Sequence, residues 1–174
     1  MDPIDHYERV DLHQLFGEIR ESFSGVLQKL DGEVEIQGPF PTIQGDLVQL
    51  RQLFQNLVGN ALKYVMKDSP PYIIITCIKD PDTSLAVEGE GMICISVKDN
   101  GIGFDQKYAD EIFSPFRRLV TNAEYEGSGI GLATVRKIID RHQGSIEARS
   151  SPGKGSTFLV RLPRTLPGHP ISNP

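Results

Sequence analysis

Four polar residues near the middle of the chain have the chemistry and the spacing to act as one group. Asn60 lies four residues after Asn56, and Lys63 and Tyr64 lie three and four residues after Asn60. On a helix these four share one stripe. An Asn carbonyl is a hard oxygen ligand suited to Mg2+, a Lys ammonium is a point charge for phosphate, and a Tyr ring can cover a purine. The same stripe also reads as the solvated face of an ordinary amphipathic helix. Further along, Lys98-Asp99-Asn100-Gly101 ends an apolar run. A carboxylate there, just ahead of a backbone-exposing Gly-x-Gly, can accept a hydrogen bond from an exocyclic amine such as adenine's; Asp-Asn-Gly is equally an ordinary turn.

Glycines cluster three times, at Gly101-Ile102-Gly103, Gly127-Ser128-Gly129-Ile130-Gly131 and Gly153-Lys154-Gly155. Such pairs mark tight turns or close backbone approach. The middle cluster runs into a helix-forming stretch, where free N–H groups and the positive helix end make a seat for phosphate. The common nucleotide signatures are absent. There is no G-x-x-x-x-G-K-[ST] loop, no G-x-G-x-x-G after a first strand, and no H-R-D or D-F-G.

The elements that must position these residues are visible in the hydrophobic pattern. Leu12, Leu15, Phe16, Ile19, Phe23, Val26, Leu27 and Leu30 recur every three or four residues, predicting one amphipathic helix over about 11–29, weakened by Gly17 and Gly25. Residues 34–36 suggest a short strand before a Gly38-Pro39 turn. Asp46 with Gln49 predicts a capped helix start, and Leu50, Phe54, Leu57, Val58, Ala61, Leu62 and Val65 form the helix's apolar side up to a stop at Asp68-Ser69-Pro70-Pro71. Residues 72–78 and 92–97 read as central strands, with 80–91 as a loop of hairpin type. Residues 130–141 predict a second good helix with Gly144 as its C′ residue. Residues 145–149 and 157–162 alternate like antiparallel strands joined by a turn at 151–155. The division expected is a leader at 1–10, one domain over 11–163 and a flexible tail or linker at 164–174. The fold class expected is an α/β (α+β) two-layer sandwich, a mixed and mostly antiparallel sheet with helices on one face.

Composition narrows the function classes. The 174 residues are 39% hydrophobic and 24% charged, with a formal net charge of −5. That excludes wholesale disorder and disfavours nucleic acid as a partner, which demands a field of Lys and Arg. Cys77 and Cys94, each in an apolar run, read as two buried thiols in a reducing cytosol. No apolar run reaches membrane-spanning length and Met1-Asp2-Pro3-Ile4-Asp5 is no signal peptide, so a cytoplasmic segment without membrane contact is expected, whether or not its parent is membrane-anchored.

In order along the chain, these motifs resemble the GHKL superfamily, and within it the catalytic, ATP-binding domain of sensor histidine kinases. The resemblance rests on Asn56-Leu57-Val58-Gly59-Asn60-Ala61-Leu62-Lys63-Tyr64 (the N box) and Asp99-Asn100-Gly101-Ile102-Gly103-Phe104 (the first glycine box). It rests also on Ile112-Phe113-Ser114-Pro115-Phe116-Arg117-Arg118-Leu119 (the F box) and Gly127-Ser128-Gly129-Ile130-Gly131-Leu132-Ala133 (the second glycine box). Ser151-Pro152-Gly153-Lys154-Gly155-Ser156-Thr157-Phe158 looks like the family's closing strand turn. The wording around 105–110 and 124–127 is most similar to phytochrome-type and related kinases.

The resemblance implies ATP and Mg2+ as cofactors, with Asn60 holding Mg2+ and Asn56 in support. It implies Lys63 on phosphate, Tyr64 along the adenine, and Asp99 on the adenine amino group. Gly101 and Gly103 would let the backbone pass the base. Gly127, Gly129, Gly131 and Leu132 would line the phosphates, Gly129 and Gly131 through backbone N–H groups. Arg118, with Arg117 beside it, matches the arginine that neutralises the γ-phosphate, and the segment between Gly103 and Gly127 would be the ATP lid. Hydrolytic members of the superfamily carry a Glu four residues before the Mg2+-binding Asn, where it polarises water. Here that position is Asn56, an amide that cannot serve as a general base.

Phosphoryl transfer would then need an acceptor from elsewhere. In histidine kinases it is a His on a separate helical hairpin, and neither His6, His13, His142 nor His169 has that motif; His142 reads as a structural residue suited to a helix C-terminus. The partners implied are ATP, that hairpin and, indirectly, a response regulator. The alternatives are a serine kinase of the anti-sigma-factor type, or a non-catalytic module that senses nucleotide and docks.

Overall fold

A computed structural model of the chain describes residues 6–78, 91–116 and 131–166. Among these residues seven strands and four helices follow in the order β1 (Tyr7–Asp11), α1 (Leu12–Ser22), α2 (Ser24–Leu30), β2 (Glu33–Gln37), β3 (Thr42–Asp46), α3 (Leu47–Lys63), β4 (Tyr72–Ile78), β5 (Met92–Asp99), α4 (Gly131–Arg141), β6 (Ser145–Ser150) and β7 (Ser156–Pro163). Two short 3-10 turns, Gln106–Tyr108 and Glu111–Phe113, lie between β5 and α4.

Five strands form a sheet in the order β2-β4-β5-β7-β6. Only the β2–β4 pair is parallel; β4–β5, β5–β7 and β6–β7 are antiparallel. β5 and β7 sit at the centre because their residues suit burial on both faces: Ile93, Cys94, Ile95 and Val97 in one, Phe158, Leu159, Val160 and Leu162 in the other are all buried. Against this sheet α1 meets β2 and α3, α3 meets β5 and α4, and α4 meets β6. The core between the layers includes Phe16, Phe54, Leu57, Ile75, Ile95 and Ile139. The expected two-layer, mostly antiparallel α/β sandwich is the fold observed.

The helix over 11–29 is two helices. Asp11 caps α1 by accepting the Gln14 N–H at 3.1 Å, and the break falls at Phe23 (φ −98°, ψ 6°) rather than at Gly17 or Gly25. Asp46 caps α3 as its spacing predicts, accepting the Gln49 N–H at 3.0 Å. This helix stops at Lys63, before the Asp-Ser-Pro-Pro signal, so Val65 lies past its end and is only half-buried. The left-handed residue after α4 is Gln143 (φ 55°), not Gly144. Gln143 N–H bonds Asp140 O at 3.1 Å and Gly144 N–H bonds Ile139 O at 3.0 Å, a Schellman closure. Gly144 is required for another reason: a Cβ there would lie 2.2 Å from Arg161 O.

The expected leader is partly a strand, since β1 pairs antiparallel with β3, Val10 opposite Ile43. The expected tail is held as far as Leu166. Gln44 N–H donates to Arg164 O and Leu166 N–H to the Gln44 side-chain oxygen, both at 2.9 Å, and Leu166 is buried. Cys94 is buried and Cys77 half-buried, neither in a disulfide, and burial pushes the Cys77 thiol above its ordinary range. His142 is fully buried. Asp46 N–H donates to its Nε2 at 3.1 Å, so Nδ1 carries the hydrogen and bonds Ile138 O at 2.9 Å. It therefore ties α4 to the start of α3 as a neutral imidazole; the structural role expected of it is observed, carried by these two bonds rather than by a charge at the helix end. No helix among the described residues is long and apolar enough to cross a membrane.

Candidate functional site

The C-terminal half of α3 is the floor of the site. Asn56, Asn60 and Lys63 lie on its half-buried stripe and Tyr64 caps its end, the Tyr64 N–H bonding Asn60 O at 3.0 Å. On the opposite side of the helix Phe54, Val58, Ala61 and Leu62 are buried, and this apolar load fixes which stripe looks outward. Lys63 Nζ sits 5.1 Å from the centre of the Tyr64 ring, a cation–π contact that pre-orients both side chains.

The loop after β5 comes to the end of α3 through the backbone. Ile102 N–H donates to Tyr64 O at 2.9 Å. A Cβ on Gly101 would lie 2.3 Å from that same oxygen, so the approach requires glycine. Gly103 has φ 63° and a Cβ there would lie 2.1 Å from Ser151 O. In this fold both glycines serve contacts within the protein, a different demand from letting backbone pass a base. Asn100 fastens the loop on its other flank, accepting the Tyr72 N–H at 2.8 Å and donating to Pro70 O at 3.0 Å.

Asp99 stands in the middle of this arrangement, half-buried, with Oδ1 accepting the Gly101 N–H at 2.8 Å. Burial raises its pKa above the ordinary 3.8, while backbone donors from Gly101 and then Ser156 pull it back. Ser156 was legible only as part of a closing turn. Its role as a donor follows from the β5–β7 register, which sets Asp99 opposite Ser156. A carboxylate thus desolvated and oriented by two fixed donors is a sharp acceptor for a ligand N–H.

The other end of the site is the start of α4. Asn56 Nδ2 donates to Gly131 O at 3.2 Å, so the first residue of α4 is held over α3. A Cβ on Gly131 would meet nothing closer than Asn56 Cγ at 3.9 Å. Leu132 is half-buried and packs on the core, so its side chain supports this helix start. Arg118, Arg117, Gly127 and Gly129 lie outside the described residues, as does the second part of the segment expected as a lid, from residue 117 on. Of the F box, Ile112 and Phe113 are buried, Phe113 under the Arg136 guanidinium at 4.8 Å, while Phe116 is 74% exposed with φ 61°.

The residues present fit a Mg-nucleotide. Asn56 spends its amide on Gly131, but the Asn60 side chain makes no hydrogen bond to protein among the described residues and is half-buried on the same stripe. A neutral oxygen donor left free beside a Lys is the donor set expected of a site where phosphate oxygens complete a Mg2+ shell. No cluster of three or more His, Cys, Asp or Glu that could hold a metal by itself occurs among the described residues.

Sandwich, α3 stripe and Asp-x-Gly-x-Gly loop together define a nucleotide-binding domain of the GHKL class, and solved structures bear this out. Full-length ShkA, crystallised in complex with AMPPNP, matches with a TM-score of 0.74 and 26% identity over 92% of this chain and 32% of that one. ThkA matches both as a nucleotide-free catalytic domain (TM-score 0.73, 24% identity, 92% of this chain and 99% of that one) and in complex with the response regulator protein TrrA (0.70, 23%, 91% and 42%). Residues 45–166 match the family described as histidine kinase-, DNA gyrase B-, and HSP90-like ATPase, and the chain belongs to that family. Among curated relatives, the phytochrome-like protein Cph1 of Synechocystis sp. is 39% identical over 137 residues, covering 79% of this chain and 17% of Cph1. The chain therefore corresponds to a small part of that relative's length.

Proposed function

We propose that this chain is the ATP-binding catalytic domain of a two-component sensor histidine kinase working in the cytosol, and that it donates the γ-phosphoryl group of Mg-ATP to a His on a dimerisation hairpin outside this chain. The observation that carries the reading is the pinning of α3 at both ends of its polar stripe: Tyr64 O to Ile102 N–H beside Asp99, and Asn56 to Gly131 at the start of α4. One helix thereby sets the distance between an adenine acceptor and a phosphate seat. Asp99 accepts the adenine amino group, Tyr64 covers the ring, Lys63 places a charge on the phosphates, and Gly131 with Gly127 and Gly129 presents backbone to them. Asn60 holds the Mg2+, which neutralises charge on the phosphates when bound. Arg118 stabilises the transferring group.

In the transfer, the bond from the γ-phosphorus to the β,γ-bridging oxygen breaks, a bond from phosphorus to an imidazole nitrogen forms, and ADP leaves. Asn56 stands where a hydrolytic site needs a base, and its amide is already engaged with Gly131, so water is not activated there and the phosphoryl group waits for the histidine. A response regulator would take it onward.

Calorimetric titration with ADP and ATP, with and without Mg2+, tests the site. Micromolar binding strengthened by Mg2+ is expected; no binding by the folded chain would overturn the reading. Incubation with γ-labelled ATP and a supplied hairpin tests the transfer. Acid-labile label on the hairpin is expected, whereas acid-stable label would mean a serine kinase and none would mean a docking module.

A further inference from the structure

We infer that Gln106 is a positioning residue of the nucleotide site, an inference that rests on the reading of that site given above. Among the described residues β6 is an edge strand of the sheet. Ala148 and Ser150, two residues apart, turn backbone groups to its free side. Gln106 meets both: its Nε2 donates to Ala148 O at 3.0 Å, and its Oε1 accepts the Ser150 N–H at 2.9 Å. The side-chain amide takes the place of a neighbouring strand's peptide, with one donor and one acceptor matched.

Ser150 passes this anchorage on to Asp99. Its Oγ accepts the Phe104 N–H at 2.9 Å, donates to Gly155 O at 2.8 Å, and lies 2.9 Å from Ser156 Oγ. Next to these bonds, Gly153 N–H donates to Ile102 O at 2.7 Å. Gly155 packs so closely that a Cβ on it would lie 2.0 Å from Asp99 O, and Ser156 N–H is a donor to the Asp99 carboxylate. Gln106 thus closes a loop of contacts: it leaves the first glycine box, grips the β6 edge, and through Ser150 clamps both ends of the segment that aims Asp99. Tyr64 and Asn100 hold one side of that segment; on the other side Gln106 adds its grip to those of Ser150 and Gly153, where the chain departs towards the F box.

An edge-strand cover could also act only against aggregation, and the test separates the two roles. ADP affinity of the full chain is measured by calorimetry for the parent, Gln106→Leu and Gln106→Glu, at neutral pH and at about pH 5, where an exposed Glu becomes partly protonated. At neutral pH both variants are expected to bind about three- to tenfold more weakly than the parent, the loss of roughly one hydrogen bond's worth of positioning, with little change in Tm. On acidification Gln106→Glu is expected to regain affinity relative to the parent, because a protonated carboxyl offers O–H to Ala148 O and a carbonyl to Ser150 N–H as the amide does. Gln106→Leu has no such recovery. The nearby titratable groups Asp105, Lys107, Glu147 and Arg149 are common to all three proteins, so ratios at one pH cancel them.

Parent-like affinity in both variants would overturn the positioning role while leaving the nucleotide site standing, and so would identical behaviour of Leu and Glu at both pH values. Failure of the parent itself to bind would overturn the site and, with it, anything Gln106 positions there.

Discussion

The carbonyl oxygen of Tyr64 accepts the backbone N–H of Ile102 at 2.9 Å, and this one bond explains both where α3 ends and why the next loop begins with glycine. With its carbonyl claimed by another segment, Tyr64 leaves the helical path at φ −96°, ψ 54°. The bonded approach leaves no room for a side chain at position 101. Gly101→Ala is therefore expected to cost about 1–3 kcal/mol, as overpacking against rigid backbone does. In a domain of this size that is a fall in Tm of roughly several degrees. Calorimetry should show ADP affinity falling along with it, since the loop that aims Asp99 must move away from α3. A parent-like melting curve would show that the loop yields without cost.

His142 provides a stability prediction remote from the nucleotide. It supplies the acceptor for Asp46 N–H in a buried setting, and Gly45 packs against its ring. His142→Leu leaves that N–H without a partner and is expected to destabilise by about 1–3 kcal/mol, read from the urea midpoint at constant m-value. Asp46 and Tyr64 bound α3, separated by about 27 Å of helix rise. Nucleotide affinity of the folded variant should therefore stay near that of the parent, and a large loss would mean that α4 transmits the defect to its first residue.

How much of this was legible beforehand follows from where the information lies. α3 could be read in detail because its cap, apolar side and polar stripe are all local patterns, and β4 matched residue for residue because Tyr72–Ile78 is almost wholly β-branched or aromatic. β1 and β3 could not. Tyr-Glu-Arg-Val-Asp and Thr-Ile-Gln-Gly-Asp each hold a single aliphatic residue, and what makes them strands is each other, together with the chain at Arg164–Leu166. The break at Phe23 is likewise tertiary, since its ring turns towards α3 at Gly59. Within the site the motifs were visible but not their partners. Gly101 and Gly103 were recognisable as close-approach residues, yet that they approach Tyr64 and Ser151 depends on contacts between segments far apart in the chain.

Asn60 and Asn56 are separated by one helical turn and by their hydrogen bonding, which predicts different phenotypes. Asn60→Asp adds a charge at a free donor position, so the Mg2+ dependence of ATP binding should shift while Tm changes by about a degree at most for a surface-like substitution. Asn56→Ala removes the bond to Gly131 O and should cost about 0.5–1.5 kcal/mol of stability and weaken binding with or without Mg2+. A Mg2+ titration unchanged by Asn60→Asp would remove Asn60 from the metal site.

Asp99 carries opposing demands from folding and from function. Burial holds its carboxyl above the ordinary 3.8, with the Gly101 and Ser156 donors only partly offsetting this. Between 3.8 and the raised folded value, the folded chain keeps a proton that the unfolded chain has already lost, so this group's contribution to stability falls as pH rises through that window and stays low above it. Asp99→Asn does not titrate. Its stability relative to the parent should therefore rise as pH climbs from below 3.8 to neutrality, as followed by urea unfolding across that range. Binding should move the other way. The variant replaces a charged acceptor by an amide that offers one oxygen and a misplaced donor, and ADP affinity is expected to drop about ten- to a hundredfold, the worth of a hydrogen bond to an ionised group. Retention of tight ADP binding by Asp99→Asn would show that the adenine is held elsewhere; a relative stability that does not change with pH would show that the Gly101 and Ser156 donors already compensate the burial of the charge.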